Sequence, residues 1–171
     1  MSHKFFYFLL LLIGFSACQK DDICSEATPT TPHLVIQFFD INNITEAKIA
    51  PNFNAYEVTD NGNISYYYET AINDTIAKIP LRTDQNFTDY NLVINQFIND
   101  GEISENTDQV SFTYGVNDKF VSRACGYKTE FLGLDAQVDQ ANPVENWIKT
   151  IEEQQPNDVI DENTTHIYIY F

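Results

Sequence analysis

Histidines, carboxylates and hydroxyls are the side chains of this sequence that could carry acid–base or nucleophilic chemistry. The chain has 25 Asp and Glu residues, and a pair of carboxylates can hydrolyse a glycosidic bond, but spacing singles out no two of them. His33 and His166 stand at the starts of predicted strands, where we expect ordinary surface or strand-face histidines. Ser111 and Ser122 have no histidine nearby in sequence. We therefore predict that the protein is not an enzyme, with a carboxylate-dependent hydrolase of carbohydrate or peptide as the alternative.

The sequence also lacks the common cofactor and metal motifs. It contains no GxSxG elbow, HExxH zinc helix, P-loop or Rossmann glycine pattern. The acidic stretches Asp60–Asn63 and Asn157–Glu162 do not have the ligand spacing of an EF-hand. The first of them contains Asn-Gly, which is typical of a two-residue hairpin turn. We expect no cofactor and no bound metal ion.

Three tyrosines are candidates for contact with a ligand. Tyr67 lies in a run of three tyrosines, and Tyr168 and Tyr170 alternate with isoleucines near the end of the sequence. Flat aromatic rings on a strand surface can bind a sugar or a protein partner. Half of the rings on an alternating strand face a core instead, so core packing is the alternative role of these tyrosines.

The chain has three cysteines, and Cys18 is assigned a separate role below. Cys24 and Cys125 are the two that remain. In an exported protein, such a pair indicates a disulfide. The bond would fasten the N-terminal part of the chain to the strand around Phe120–Cys125 and could stabilise the fold by about 4.7 kcal/mol. A reactive or metal-binding thiol pair and two buried free thiols are the alternatives, although neither cysteine has a CxxC partner.

Short runs of alternating apolar residues predict the strands that position these side chains. In HLVIQFF, residues 33–39, both faces are apolar, which predicts a strand buried on two sides. QVSFTYGV has the clearest alternation, with Val110, Phe112, Tyr114 and Val116 facing inward. Further strands are predicted at 54–58, 64–69, 75–81, 90–97, 119–131 and 165–171, and turns at 60–63, 99–101 and 117–118.

One amphipathic helix is predicted over residues 142–154. Val144, Trp147, Ile148 and Ile151 fall at i, i+3, i+4 and i+7, which forms a single apolar stripe. The stretch begins with an Asn-Pro-x-Glu sequence that is typical of a capped helix start. About eight strands with this helix predict an all-β protein, an immunoglobulin-like β-sandwich domain over 33–171. A barrel, or an antiparallel sheet backed by the helix, is the alternative architecture.

The N-terminal segment is typical of an export signal. Lys4 precedes an apolar run from Phe5 to Phe15, which is too short to span a bilayer because that needs about 20 residues. The following Ser-Ala-Cys resembles the lipobox of bacterial lipoproteins, in a relaxed form with Phe15 in place of the usual Leu. The resemblance implies that residues 1–17 are cleaved and that Cys18 is lipidated. The alternative is an ordinary signal peptide cut near Ala17, which leaves Cys18 unmodified.

A charged cluster follows Cys18 directly. Gln19, Lys20, Asp21 and Asp22 resemble the surface-export signal of Bacteroidota lipoproteins, in which a Lys and two acidic residues follow the lipidated cysteine. The resemblance implies display on the outer face of the outer membrane, and attachment facing the periplasm is the alternative. Residues 18–32 end in a stretch rich in Pro, Ser and Thr, which predicts an extended tether.

The acidic balance of the chain restricts its partners. The formal net charge is −16 at pH 7, which repels phosphate backbones and excludes nucleic acid as a partner. We expect contact with a membrane through the lipid on Cys18, and a protein or a glycan as the bound partner.

The whole chain is similar to an uncharacterised family of small Bacteroidota lipoproteins. The similarity lies in the lipobox cysteine, in Asp22-Ile23-Cys24, and in the segments TPHLVIQFFD, IPL and FVSRACG. This family brings no known activity and no catalytic residues. The sequence therefore predicts a lipid-anchored binding or accessory module at the outer membrane, with a structural envelope lipoprotein as a further alternative.

Overall fold

A computed structural model of the chain describes residues 23–25, 27–28, 30–58, 64–99, 102–139 and 145–171. The predicted signal peptide 1–17, Cys18 and the charged cluster Gln19–Asp22 lie outside these residues, as do the predicted turn at 60–63 and residues 142–144 at the start of the predicted helix. The chain divides into two compact units. The described parts of 23–28 and 120–127 belong to a small unit, called here the cystine unit, and residues 29–119 and 128–171 form the sheet unit.

The described residues form eleven strands and no helix, so the all-β prediction is confirmed. The strands are β1 Leu34–Asp40, β2 Asn43–Ala47, β3 Ala50–Val58, β4 Ile64–Tyr66, β5 Ile72–Asp74, β6 Ile76–Ile79, β7 Phe87–Asn99, β8 Glu102–Ser122, β9 Gly126–Val138, β10 Thr150–Glu153 and β11 Ile167–Tyr170. None of these residues lies in a helix that could cross a membrane.

The strands form two sheets. In the five-stranded sheet the order is β10-β11-β1-β2, with β6 also paired to β1. In the six-stranded sheet the order is β4-β3-β7-β8-β9, with β5 also paired to β3. The first and last strands, β1 and β11, are parallel, and their register joins Ile36 to Ile167 and Phe39 to Tyr170.

One hydrophobic core takes side chains from both sheets. Leu34, Ile36 and Phe38 of β1 are fully buried in it, and the ring of Phe38 packs against Phe53 of β3 at a centroid distance of 5.0 Å. The segment β5–β6 changes sheets between Asp74 and Ile76, because β5 pairs with β3 while β6 pairs with β1. Two sheets around a shared core are what alternating apolar strands require.

The predicted helix over 142–154 is wrong. Residues 145–149 are irregular, and Thr150–Glu153 is strand β10, paired antiparallel with β11. Trp147 and Ile148 still reach the core, and the indole N–H of Trp147 donates to the Leu92 carbonyl at 3.1 Å. An isolated helix of this length is marginal in water. The edge of β11 provides hydrogen-bond partners for the same residues without loss of the apolar contacts.

The turn predicted at 117–118 is also wrong. Strand β8 runs through both residues to Ser122, and the turn lies at 123–125. Asn and Asp favour turns through their own side-chain hydrogen bonds. Here Asp118 uses its carboxylate to accept the Thr129 hydroxyl of β9 at 2.9 Å, which is compatible with a strand.

Candidate binding face

The two tyrosines near the end of the chain lie on the face of the five-stranded sheet that points away from the core. Side chains alternate along a strand, so Ile167 and Ile169 enter the core while Tyr168 and Tyr170 point to the opposite face. Phe39 of β1 lies on this same face, because the parallel register sets it beside Tyr170. We call the surface formed by Gln37, Phe39, Glu152, Tyr168 and Tyr170 the Tyr168 face.

The aromatic rings of this face pack against one another. Phe39 contacts Tyr168 edge-on at a centroid distance of 4.8 Å, and it contacts Tyr170 at 5.6 Å. Tyr170 is only 7% exposed, whereas Tyr168 and Phe39 are half-buried. The structure therefore leaves part of the Tyr168 ring accessible, whereas Tyr170 is buried and packs against Phe39.

Hydrogen-bonding side chains lie on both sides of Tyr168. In the strand register, Tyr168 is opposite Gln37 of β1 and opposite Glu152 of β10. The amide oxygen of Gln37 accepts the Thr165 hydroxyl at 3.2 Å, and Glu152 accepts the Tyr170 hydroxyl at 3.0 Å. Burial, together with this carboxylate, raises the pKa of Tyr170. Tyr168 is thus a ring flanked on each neighbouring strand by a polar side chain.

A polar cluster surrounds Glu162. One carboxylate oxygen accepts the backbone N–H of His33 at 2.9 Å and lies 2.6 Å from Nδ1 of its ring. The other oxygen is 3.0 Å from Nζ of Lys78. Burial acts to raise the pKa of Glu162, but the hydrogen bonds from His33 and Lys78 outweigh it and lower the pKa to about 2. This carboxylate is therefore ionised at physiological pH.

Tyr67 belongs to the Glu162 cluster and not to the Tyr168 face. It is 38% exposed, and its ring lies 6.1 Å from the ring of His33 and 4.8 Å from that of Tyr68. Burial and the nearby Glu162 charge raise the pKa of Tyr67, which keeps the phenol neutral. Of the three tyrosines predicted to contact a ligand, Tyr168 and Tyr170 therefore share one face of the five-stranded sheet. Tyr67 belongs to the Glu162 cluster.

His166 is buried in the sheet unit, where it binds the backbone of β1. Its side chain is 4% exposed, and Nδ1 accepts the Val35 backbone N–H at 3.0 Å. Burial lowers the pKa of His166 and favours the neutral ring that this hydrogen bond needs. The sequence predicted an ordinary surface or strand-face histidine at this position, and the structure buries it more deeply than that prediction implies.

Asp108 is a buried carboxylate that binds the backbone. It is 5% exposed, and Oδ2 accepts the Ile148 N–H at 2.7 Å. Burial raises the pKa of Asp108, as is common for a general acid. Its carboxylate is nevertheless engaged with the backbone N–H of Ile148, which indicates a structural role. In the described ranges, no three or more His, Cys, Asp or Glu side chains form a cluster suited to a metal ion.

Two open cavities adjoin the end of β9. One of about 380 Å³ is lined by Gln109, Ser111, Gln137, Val138 and Asp139. The other, of about 310 Å³, is lined by Ala136, Gln137, Val138, Ile148, Lys149, Thr150 and Ile151. Their linings mix amide, carboxylate and aliphatic groups, without a convergent set of titratable side chains.

Cys24 and Cys125 form a disulfide, as predicted. The sulfurs are 2.07 Å apart and the Cα atoms 4.9 Å apart. Both cysteines belong to the cystine unit, where the Cys125 N–H donates to Ser122 Oγ at 3.0 Å. The bond joins residues 101 positions apart.

The Glu162 cluster and the role of Phe39 escape prediction from sequence. His33 and Glu162 are 129 positions apart, and neither lies in a recognisable motif. Phe39 is part of an apolar pattern on both strand faces, so its outward direction follows only from the pairing of β1 with β11. The signal that was present is the Tyr-Ile-Tyr alternation, which identified Tyr168.

Comparison with known proteins gives a family match over most of the sheet unit. The model of a family of unknown function (DUF6452) matches residues 55–171. No curated protein and no solved structure matches the chain. The matched range includes Glu152, Glu162 and Tyr168.

Proposed function

The chain belongs to the DUF6452 family, whose function is unknown, and from that premise we propose that it is a lipid-anchored binding module of the outer membrane. The ligand contacts the Tyr168 face. The proposed ligand class is a neutral glycan, for the reasons given below.

The observation that carries this proposal is the setting of Tyr168. Its half-buried ring is held edge-on by Phe39 and lies between Gln37 and Glu152 on the adjacent strands. A flat ring can pack against the apolar face of a sugar, while amide and carboxylate groups accept or donate to its hydroxyls. Rigid cross-strand packing reduces the entropy lost on binding.

The charge of the protein supports a neutral ligand. At −16, the chain repels anionic polysaccharides and nucleic acids. The carboxylate of Glu152 on the face adds to that repulsion. An uncharged polysaccharide with many hydroxyl groups is not subject to this electrostatic repulsion.

The proposed anchor is the lipid on Cys18. Residues 1–17 would be removed, Cys18 would carry the acyl chains, and Lys20-Asp21-Asp22 would direct the protein to the cell surface, as in Bacteroidota lipoproteins. One acyl chain binds a membrane only marginally, whereas two or more hold a protein stably. The protein would act as a binding or accessory component beside other envelope proteins.

We also propose that the two sheets form an immunoglobulin-like sandwich. Supporting features are the common core, the change of sheet between β5 and β6 at Thr75, and the parallel pairing of the first and last strands. Such folds carry binding sites on sheet faces as well as on loops.

The glycan-binding proposal is tested with purified full-length protein on an array of neutral and acidic polysaccharides. We expect retention on a neutral glycan and an affinity weaker by about fivefold for Tyr168→Ala, since a ring contact of this kind contributes about 1 kcal/mol. Tyr127→Ala is the matched control, because Tyr127 is 70% exposed and lies in the cystine unit. Binding to no glycan, or equal binding by both variants, would overturn the proposal.

The anchor is tested by labelling growing cells with palmitate and by proteolysis of intact cells. We expect label on the wild-type chain and none on Cys18→Ala. Digestion of the labelled protein on intact cells would support surface display, whereas protection would place it on the periplasmic side. Equal behaviour of wild type and Cys18→Ala would remove the lipid anchor from the proposal.

A further inference from the structure

The cystine unit exposes three large apolar side chains. Ile23 is 87% exposed, Tyr127 is 70% exposed and Phe120 is 56% exposed. The rings of Phe120 and Tyr127 contact each other edge-on at a centroid distance of 5.4 Å. Single exposed apolar residues are common on protein surfaces, but a group of this kind marks a contact site.

The charge of this unit differs from that of the whole chain. Among its described residues, Arg123 is the one charged side chain, and it is exposed in the turn at 123–125. With Lys20, Asp21, Asp22 and Glu26 included, residues 18–28 and 120–127 carry a formal charge of −1, so the repulsion between this unit and an anionic surface is weaker than that expected for a protein of charge −16. A guanidinium also pairs well with phosphate.

The disulfide limits the distance between this unit and the proposed lipid. Cys24 follows Cys18 by six positions, and extended chain spans at most about 3.6 Å per residue, so Cys24 lies within about 22 Å of Cys18. The Cα of Cys125 is 4.9 Å from that of Cys24. The turn that carries Arg123 is thus held near the lipid attachment point by a covalent bond.

We propose that the cystine unit rests on the phospholipid surface to which Cys18 is attached. Phe120 and Tyr127 lie in the headgroup region, and Arg123 pairs with lipid phosphates. Tyrosine favours this interface because its ring is apolar and its hydroxyl is polar, and phenylalanine rings bury at the boundary between headgroups and acyl chains. The contact rests on the lipid anchor proposed above and adds a second, non-covalent membrane contact to it.

The experiment uses the full-length protein purified from its own cells and reconstituted into phospholipid vesicles with brominated acyl chains. The chain has one tryptophan, Trp147, which is 8% exposed and gives the baseline emission. Tyr127→Trp adds a reporter in the cystine unit. Phe87→Trp is the matched control, because Phe87 is an exposed ring of the sheet unit.

We expect the brominated lipid to quench most of the added emission of Tyr127→Trp and little of that of Phe87→Trp. Phe120→Trp provides an independent second reporter in case one variant does not fold. Intact mass measurement of each sample reports whether Cys18 carries a lipid. The two readouts separate the two proposals.

With lipidated Cys18, equal quenching of the two reporters, or none, would overturn the membrane contact and leave the anchor in place. Without lipid on Cys18, quenching confined to Tyr127→Trp would support the contact and remove the anchor. Absence of both lipid and quenching would overturn both.

Discussion

At the scale of single residues, Glu162 joins parts of the sheet unit that lie far apart in sequence. Its two oxygens bind the backbone and ring of His33 and the ammonium group of Lys78. These residues precede β1 and belong to β6, respectively. One carboxylate thereby connects the start of the first strand, a neighbouring strand and the segment before the last strand.

This cluster predicts a pH dependence of stability. In the folded protein the pKa of Glu162 is about 2, against an ordinary value of 4.5. Between these values the unfolded chain binds more protons, so the free energy of unfolding falls as the pH decreases from about 4.5 towards 2. In Glu162→Gln this part of the decrease should be missing, and urea unfolding at several pH values would measure it.

The control for this experiment is Glu69→Gln, which removes an exposed carboxylate elsewhere in the chain. It should retain the wild-type slope between pH 4.5 and 2. If Glu162→Gln and Glu69→Gln follow the same curve, the cluster contributes nothing to acid sensitivity.

At the scale of elements, the segment 145–153 shows how tertiary contacts override a helical pattern. Its apolar residues reach the core from an irregular stretch and a short strand. Asp108 on β8 accepts the Ile148 N–H at 2.7 Å and so satisfies a buried donor two residues before β10 begins. The spacing of apolar residues was correct, but the backbone that presents them was not a helix.

Removal of this acceptor should destabilise the protein. In Asp108→Ala the buried N–H of Ile148 loses its partner, which costs about 1–3 kcal/mol of unfolding free energy. Asp108→Asn keeps an oxygen acceptor and should lose clearly less. Urea denaturation followed by Trp147 fluorescence would compare the two. Equal loss in both variants would show that the negative charge, and not the acceptor, is what matters.

Local patterns were sufficient for strands with one buried and one exposed face. The alternation of Val110, Phe112 and Tyr114 predicted most of the inward residues of β8, and the alternation around Ile169 predicted β11. The pairing partner of each strand could not be predicted from local patterns, because pairing depends on contacts between segments that are distant in sequence. For the same reason the sequence indicated Tyr168 but not its neighbour Phe39, whose position depends on the parallel register.

At the scale of the whole molecule, one covalent bond joins positions 24 and 125. A cross-link restricts the unfolded chain, and a loop of about 100 residues gives one of the larger entropic effects. The double variant Cys24→Ser, Cys125→Ser should therefore lose about 2–4 kcal/mol of unfolding free energy. Thermal or urea unfolding would measure this loss.

A reductant gives the matching control for the disulfide. It should lower the stability of the wild type to that of the double variant and leave the variant unchanged. An equally stable double variant would mean that the bond has no effect on the global unfolding equilibrium and serves only to fix the cystine unit.

The parallel pairing of β1 with β11 also sets the order in which the protein can fold. β1 contributes fully buried residues to the core, yet one of its three partner strands, β11, comes far later in the sequence. Contacts between such distant segments form late, because a long loop must close first. Until residues 167–170 have left the ribosome, the five-stranded sheet is incomplete. We therefore expect the five-stranded sheet to close in one of the last steps of folding, with the buried side chains of β1 left without this partner until then.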